Sequence, residues 1–211
     1  IRAMDYIKEN GEGMKIGALT TLRSIENSGE IRRRFPVLAE AVCQIGTVQT
    51  RNRATIGGNL CNASPAADSA TPLMALEATL KIVGPVGERV VLVEDFFLDA
   101  NKTMLRSDEL LTEIQIPPQD KGSGSAFMKI GKRRHTLSIV NVATVVNVVG
   151  NEFKKVRIGL GAVAPTPMRA KRTEAFLTGK TPEEKTLREA SEIASNETRP
   201  ISDIRASAEY R

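Results

Sequence analysis

Residues 54–76 read ATIGGNLCNASPAADSATPLMAL, a stretch in which short hydrogen-bonding side chains surround the pair Gly57-Gly58. Glycine has no Cβ, so its backbone N–H can approach an anion closely, and a helix beginning just beyond adds its positive dipole end. Thr55, Asn59, Asn62 and Ser64 supply more short donors on what reads as a loop, and Asp68 is the one acid beside the helix that follows. Such an acid either caps the helix or accepts hydrogen bonds from ligand hydroxyls. Many donors with one isolated carboxylate suit a nucleotide, with phosphates for the amides and a polyol for the acid. A tight turn before a capped helix is the plainer alternative. The pair fits neither the P-loop nor the Rossmann pattern. GLGAVA at 159–164 has the spacing G-x-G-x-x-A, but PTP follows it and no acid closes a βαβ unit, so that match is accidental.

Other chemistry is sparse. His135 is the only histidine and no G-x-S-x-G elbow occurs, which leaves a hydrolase triad without support. Cys43 and Cys61 lack metal-ligand spacing, and a reduced, cytoplasmic chain is expected. Asp/Glu/His clusters for a metal are missing from the sequence. A chain with so few acid–base groups would borrow its chemistry from a cofactor. The net charge of +5 raises the question of nucleic acid, but aromatic residues make up 4% and Trp is absent, which argues against base-stacking platforms. The basic runs 32–34, 132–134 and 171–172 are spread along the chain and read as solvated or partner-facing surface. No apolar run is long enough to span a bilayer, and no signal peptide is visible.

The elements that must position these residues follow from pattern. A strand from Met14 turns at Thr20-Thr21, either of which can cap a helix entered near Leu22. Pro36 opens a helix that turns Leu38, Ala41, Val42 and Ile45 inward, and a further helix is expected over 69–78. Valine-rich runs flank a hairpin turn at 84–87, and Leu111, Ile114 and Ile116 alternate in a strand stopped by Pro117-Pro118. PPQDKGSGS is the best linker in the chain. Beyond it the pattern predicts strands at 126–130, 139–149 and 153–161, then helices at 168–177 and 182–195. Thr181 is the expected cap of the last helix. The class is α+β, with a boundary that divides the chain into 1–118 and 119–211.

The run IGTVQTRNRATIGGNLCNASPAADSATPLMALEATL resembles the second flavin-binding segment of the FAD subunits of molybdenum hydroxylases, the family of xanthine dehydrogenases and aerobic carbon monoxide dehydrogenases. KIGALTTLRSIE, LLTEIQIP, SAFMKIGKRR and VRIGLGAVAPTPMRAKRTEAFLTGK match flanking family segments in the same order. The resemblance implies the second subdomain of a PCMH-type FAD-binding domain over 1–118. A C-terminal α+β domain with a three-stranded antiparallel sheet and helices would follow over 119–211. The family's first flavin-binding subdomain, with its own glycine-rich loop, is missing from this sequence, so half of the phosphate cradle lies outside it and weak FAD binding by this stretch alone is expected.

Carried over residue by residue, Thr55, Ile56, Gly57, Gly58 and Asn59 would meet the FAD pyrophosphate and ribityl chain, and Asp68 would bond flavin hydroxyls. Ile45 would lie near the cofactor, with Leu111 and Lys129 beside the isoalloxazine ring and Lys129 a donor to its polar edge. The resemblance implies an electron-transfer subunit. Molybdopterin sits on a large partner and [2Fe–2S] clusters on a small one, and FAD passes electrons to an acceptor such as NAD or a quinone. The alternative is a flavin-free assembly or scaffold module of such a complex. A vanillyl-alcohol-type oxidase is disfavoured by the short segment after residue 120 and the isolated His135.

Overall fold

Two larger antiparallel sheets with helices between them, and a two-stranded one, form in a computed structural model that describes residues 2–11, 13–133 and 135–211. A 3-10 turn (Arg2–Met4) leads into β1 (Ile7–Asn10) and β2 (Gly13–Gly17). Short helices follow: α1 (Leu22–Asn27), α2 (Gly29–Arg34), α3 (Pro36–Val42), α4 (Val48–Arg53), α5 (Ile56–Cys61) and α6 (Ala70–Ala75). Next come the hairpin β3 (Thr79–Gly84) and β4 (Gly87–Leu92), then α7 (Val93–Phe96), β5 (Phe97–Asp99), β6 (Lys102–Thr103) and β7 (Leu110–Ile116). The last part holds β8 (Ser123–Ile130), β9 (Val140–Val149), β10 (Glu152–Gly161), β11 (Met168–Arg169), α8 (Lys171–Leu177) and α9 (Glu184–Glu197). The first sheet has the order β1-β2-β7-β3-β4 and the second β11-β10-β9-β8.

The second sheet has two different faces because its side chains alternate. The row Lys129, Asn141, Gly161 and the row Phe127, Ala143, Gly159 cross three strands in register on the inner face. Phe127, Ala143 and Val145 join the apolar cluster formed by Met14, Leu38, Leu73, Ile114 and their neighbours, so this core includes residues on both sides of the linker. On the outer face Val156, Ile158 and Leu160 pack with Ala170, Leu177 and Ala190 from the α8–α9 region. Gly159 lets α6 sit directly on the sheet, since a Cβ there would lie 2.4 Å from the Thr71 carbonyl oxygen. A Cβ on Gly161 would strike the Asn141 amide at 2.5 Å. The GLG of that run therefore ends a packing strand, with its two glycines on one face.

Several expectations need correction. The glycine pair is not in a loop: it lies in the first turn of α5, capped by Thr55, whose hydroxyl accepts from Gly58 N. Helices α2 and α4, capped by Ser28 and Thr47, were not anticipated at all. Six residues make fewer than two turns, too few for the helical period to show in a sequence. The helix expected over 69–78 is confined to Ala70–Ala75, and Glu77 just beyond it has φ +55°, which stops it. The linker ends earlier than expected, because Ser123 already pairs with Asn147. The three expected long strands form, and Met168–Arg169 adds a fourth, two-residue strand where a helix start was expected. The last helix begins at Glu184 with Glu183 as its cap, and the Thr181 hydroxyl bonds the Glu183 carboxylate instead. Thr21 does cap α1, while the Thr20 hydroxyl bonds the backbone of Tyr6.

Of the basic runs, Arg32 donates to the Glu26 carbonyl, Arg33 pairs with Glu30 and Arg34 with Glu9, while Lys171 reaches Glu94. In the run at 132–134, Lys132 donates to the Ile204 carbonyl, and Arg134 lies outside the described residues.

Gly57 is buried against the strand–helix connection, and a Cβ on it would lie 2.7 Å from both the Cβ and the carbonyl oxygen of Ala18. Gly57→Ala is therefore expected to destabilise the fold by about 1–3 kcal/mol through overpacking. Urea denaturation checks this; a midpoint equal to the parent's would show that Ala18 gives way freely.

Candidate functional site

Four consecutive amides open α5, and each already has an acceptor. Ile56 N donates to Thr20 O (3.0 Å), Gly57 N to Ala18 O (2.9 Å) and Asn59 N to Thr55 O (2.9 Å). Gly58 N donates to Thr55 Oγ1 at 3.1 Å. The first two bonds dock the helix start onto the Ala18–Thr20 segment, itself tied to the first sheet by Ala18 N to Thr112 O. Ile56 and Gly57 are thus behind the surface and Gly58 is on it. A hydroxyl that accepts one bond keeps its own proton to donate, so Thr55 still has a donor beside Gly58. Asn59 Oδ1 accepts from Ser69 Oγ at 2.5 Å, which fixes the side-chain amide and leaves its NH2 as a second donor.

Asp68 does not cap α6; Ser69 holds the cap position and makes no side-chain cap bond. The Asp68 carboxylate is directed into the second sheet. Lys129 Nζ donates to Oδ2 at 2.6 Å, and Asn141 Nδ2 (2.9 Å) and the Ser138 hydroxyl donate to Oδ1. Both side chains of the ion pair are buried, Lys129 at 7% and Asp68 at 4% exposure. Burial pushes the Asp68 carboxyl above its ordinary value, against the opposing pull of Lys129, Ser138 and Asn141. Asn141 is held in turn by Thr71, whose hydroxyl donates to its Oδ1 at 2.8 Å. Two residues singled out separately in the sequence, Asp68 and Lys129, are each other's partners.

Lys129 also donates to Gln44 O at 3.1 Å, which brings the turn carrying Ile45 to the same place. Ile45 is half-buried against the main core. Leu111 is 6% exposed within that core on β7, opposite Ile82, and makes no polar contact. A cleft of about 340 Å3 opens beside Lys129, lined by Cys43, Gln44, Gly131, Arg133 and His135. Burial and the neighbouring carboxylates of Glu26 and Glu40 raise the Cys43 thiol above its usual pKa. Sequence reasoning missed Ser138 and Asn141, which give no local motif, and Thr71, which sits within an apolar helix.

Removing one partner of a buried ion pair leaves a charge without compensation. Lys129→Met is expected to cost about 3–5 kcal/mol, and adding Asp68→Asn to it should recover part of that loss. A double-mutant cycle by chemical denaturation reads the coupling; strictly additive losses would contradict the pairing.

Comparison with known proteins gives concordant matches. Residues 1–119 match the family model for the FAD binding domain in molybdopterin dehydrogenase, and residues 125–211 that for the CO dehydrogenase flavoprotein C-terminal domain. The carbon monoxide dehydrogenase medium chain of Hydrogenophaga pseudoflava is 33% identical over 97% of this chain and 71% of its own length. The putative xanthine dehydrogenase FAD-binding subunit of Escherichia coli K12 is 34% identical, over 97% and 70%. The structure of carbon monoxide dehydrogenase from H. pseudoflava superimposes with a TM-score of 0.97 at 34% identity, covering 100% of this chain and 73% of that one. Quinoline 2-oxidoreductase of Pseudomonas putida 86 does so with a TM-score of 0.93 at 27% identity, over 100% and 73%.

Proposed function

The chain belongs to the family of FAD-binding medium subunits of molybdenum hydroxylases, and from that premise we propose that it passes electrons from molybdenum and [2Fe–2S] centres on its partner subunits, through FAD, to an acceptor such as NAD or a quinone. The observation that carries the site assignment is the exposed backbone at Gly58, flanked by the Thr55 hydroxyl and the Asn59 amide. Those donors suit an anion and a polyol, so the residues present fit FAD. When bound, FAD supplies the electron-carrying chemistry, and the chain supplies its binding and its electrostatic surroundings.

In this reading the named residues have different tasks. Gly58 leaves room, Thr55 and Asn59 donate, and Ile56 and Gly57 anchor the helix start from behind. The Ile45 turn and Leu111 supply apolar boundary. Lys129 has three N–H donors and directs two of them at Asp68 and Gln44, which leaves the third for a ligand. Asp68 holds that ammonium in place, and a fixed cation favours negative charge on a neighbouring ring. With its carboxylate engaged by Lys129, Ser138 and Asn141, Asp68 would act on the flavin hydroxyls through this network. We keep the division at 118/119 within this proposal: the polar segment before β8 separates the flavin-binding part from the part matching the flavoprotein C-terminal domain.

The large molybdopterin-binding and small [2Fe–2S] subunits are the partners this reading requires, and the exposed basic residues offer them, or an anionic acceptor, a surface. Among the described residues no helix is long and apolar enough to cross a membrane, and we place the complex in the cytoplasm.

Gly58 separates binding from folding. A Cβ there meets only the Thr55 hydroxyl, at 2.9 Å. Gly58→Val in the whole complex should lose most of its flavin absorbance while stability falls only by about 0.5–2 kcal/mol, the value of a helix cap. Parental flavin content in the variant would contradict the assignment, and a parent complex without flavin would favour the scaffold alternative.

A further inference from the structure

Three successive carbonyls, those of Gln44, Ile45 and Gly46, are each bonded by a buried cation. Lys129 Nζ takes Gln44 O at 3.1 Å, and Arg51 Nη1 takes Ile45 O and Gly46 O, both at 3.0 Å. The two cations come from different elements, β8 and α4, and each carries its own carboxylate. Lys129 has Asp68, and Arg51 has Glu26 at 2.8 Å through Nε and 3.3 Å through Nη2. Arg51 is 4% exposed and Glu26 9%, with Arg23 closing the group at 2.9 Å from Glu26. Burial opposes ionisation of Glu26, but the hydrogen bonds from Arg51 and Arg23 prevail and hold its carboxyl below the usual range. The turn itself requires a glycine. Gly46 has φ +51°, and a Cβ on it would press Thr50 at 3.1 Å.

We propose that Arg51, braced by Glu26, is a positioning residue for the flavin site. It fixes the Ile45–Gly46 turn so that the apolar boundary stands at a set distance from the Gly58 surface. This rests on the FAD reading above. Burying a guanidinium–carboxylate pair is costly, and a well-packed apolar pair of similar volume would serve stability as well or better. What an apolar pair lacks is a guanidinium whose Nη1 donates to two carbonyls of one turn while Nε and Nη2 hold the carboxylate.

The experiment uses the intact complex, deflavinated and titrated with FAD, with thermal unfolding followed in parallel. Arg51→Lys retains a charge opposite Glu26, but one ammonium cannot replace the three guanidinium nitrogens that hold the carboxylate and both carbonyls together. If Arg51 only supports the fold, this conservative variant restores both stability and binding. If it positions the turn, melting stays near the parent's while the FAD Kd rises on the order of tenfold and the visible circular dichroism of the bound flavin changes. Gly46→Ala disturbs the same turn with the Arg51–Glu26 pair intact, and decides the matter if Arg51→Lys fails to fold; it too should weaken FAD and alter the flavin spectrum. Parental Kd and spectrum in Gly46→Ala and in any folded Arg51→Lys overturn the positioning role alone. A parent complex that takes up no FAD overturns the reading beneath it and the proposal together.

Discussion

A carboxylate and an ammonium 2.6 Å apart, both shielded from water, tie the helical layer to the second sheet through Asp68 and Lys129. A buried charge without its partner is costly, so the two segments must meet in one register for either charge to be tolerated. Much of the neighbourhood serves that register. Ser138 and Asn141 both donate to Oδ1 of the carboxylate, Thr71 holds Asn141, and Gly161 has no side chain because the Asn141 amide occupies its place. Phe127 N, two residues before Lys129, donates to Glu40 on α3 at 3.1 Å, a second tie along the same strand.

The same pair organises the proposed flavin face. Lys129 reaches past Asp68 to the turn at Gln44, and Arg51 takes over that turn one residue later. The glycine pair divides its labour in a related way: Gly57 allows the helix start to press onto Ala18, and Gly58 leaves the outer surface bare. Binding surface and scaffold are therefore adjacent residues of one short helix, and substitutions at the two positions have different consequences.

The sequence was informative where local physics decides. Thr21 as a cap, Pro36 at a helix start, the 84–87 hairpin and the alternation along β9 could all be read from neighbouring residues. Helices of six residues could not, because α2, α4 and α5 end before a period is visible; the structure caps them with Ser28, Thr47 and Thr55. Asp68 and Lys129 could be named from family resemblance but not joined, because 61 residues separate them and only the crossing of the two layers brings them together. The saturation of the first two α5 amides was equally hidden, since their acceptors at Thr20 and Ala18 lie on a distant segment.

The central claim is that a prebuilt wall, held by the Asp68–Lys129 pair, receives the flavin without being rearranged. A crystal structure of the flavin-loaded complex tests it directly. The account predicts FAD density against Gly58, Thr55 and Asn59 and beside the Ile45 turn, with the Lys129–Asp68 contact retained. Flavin density elsewhere on the chain, or an Asp68 turned out of the sheet to bind the ligand alone, would contradict it.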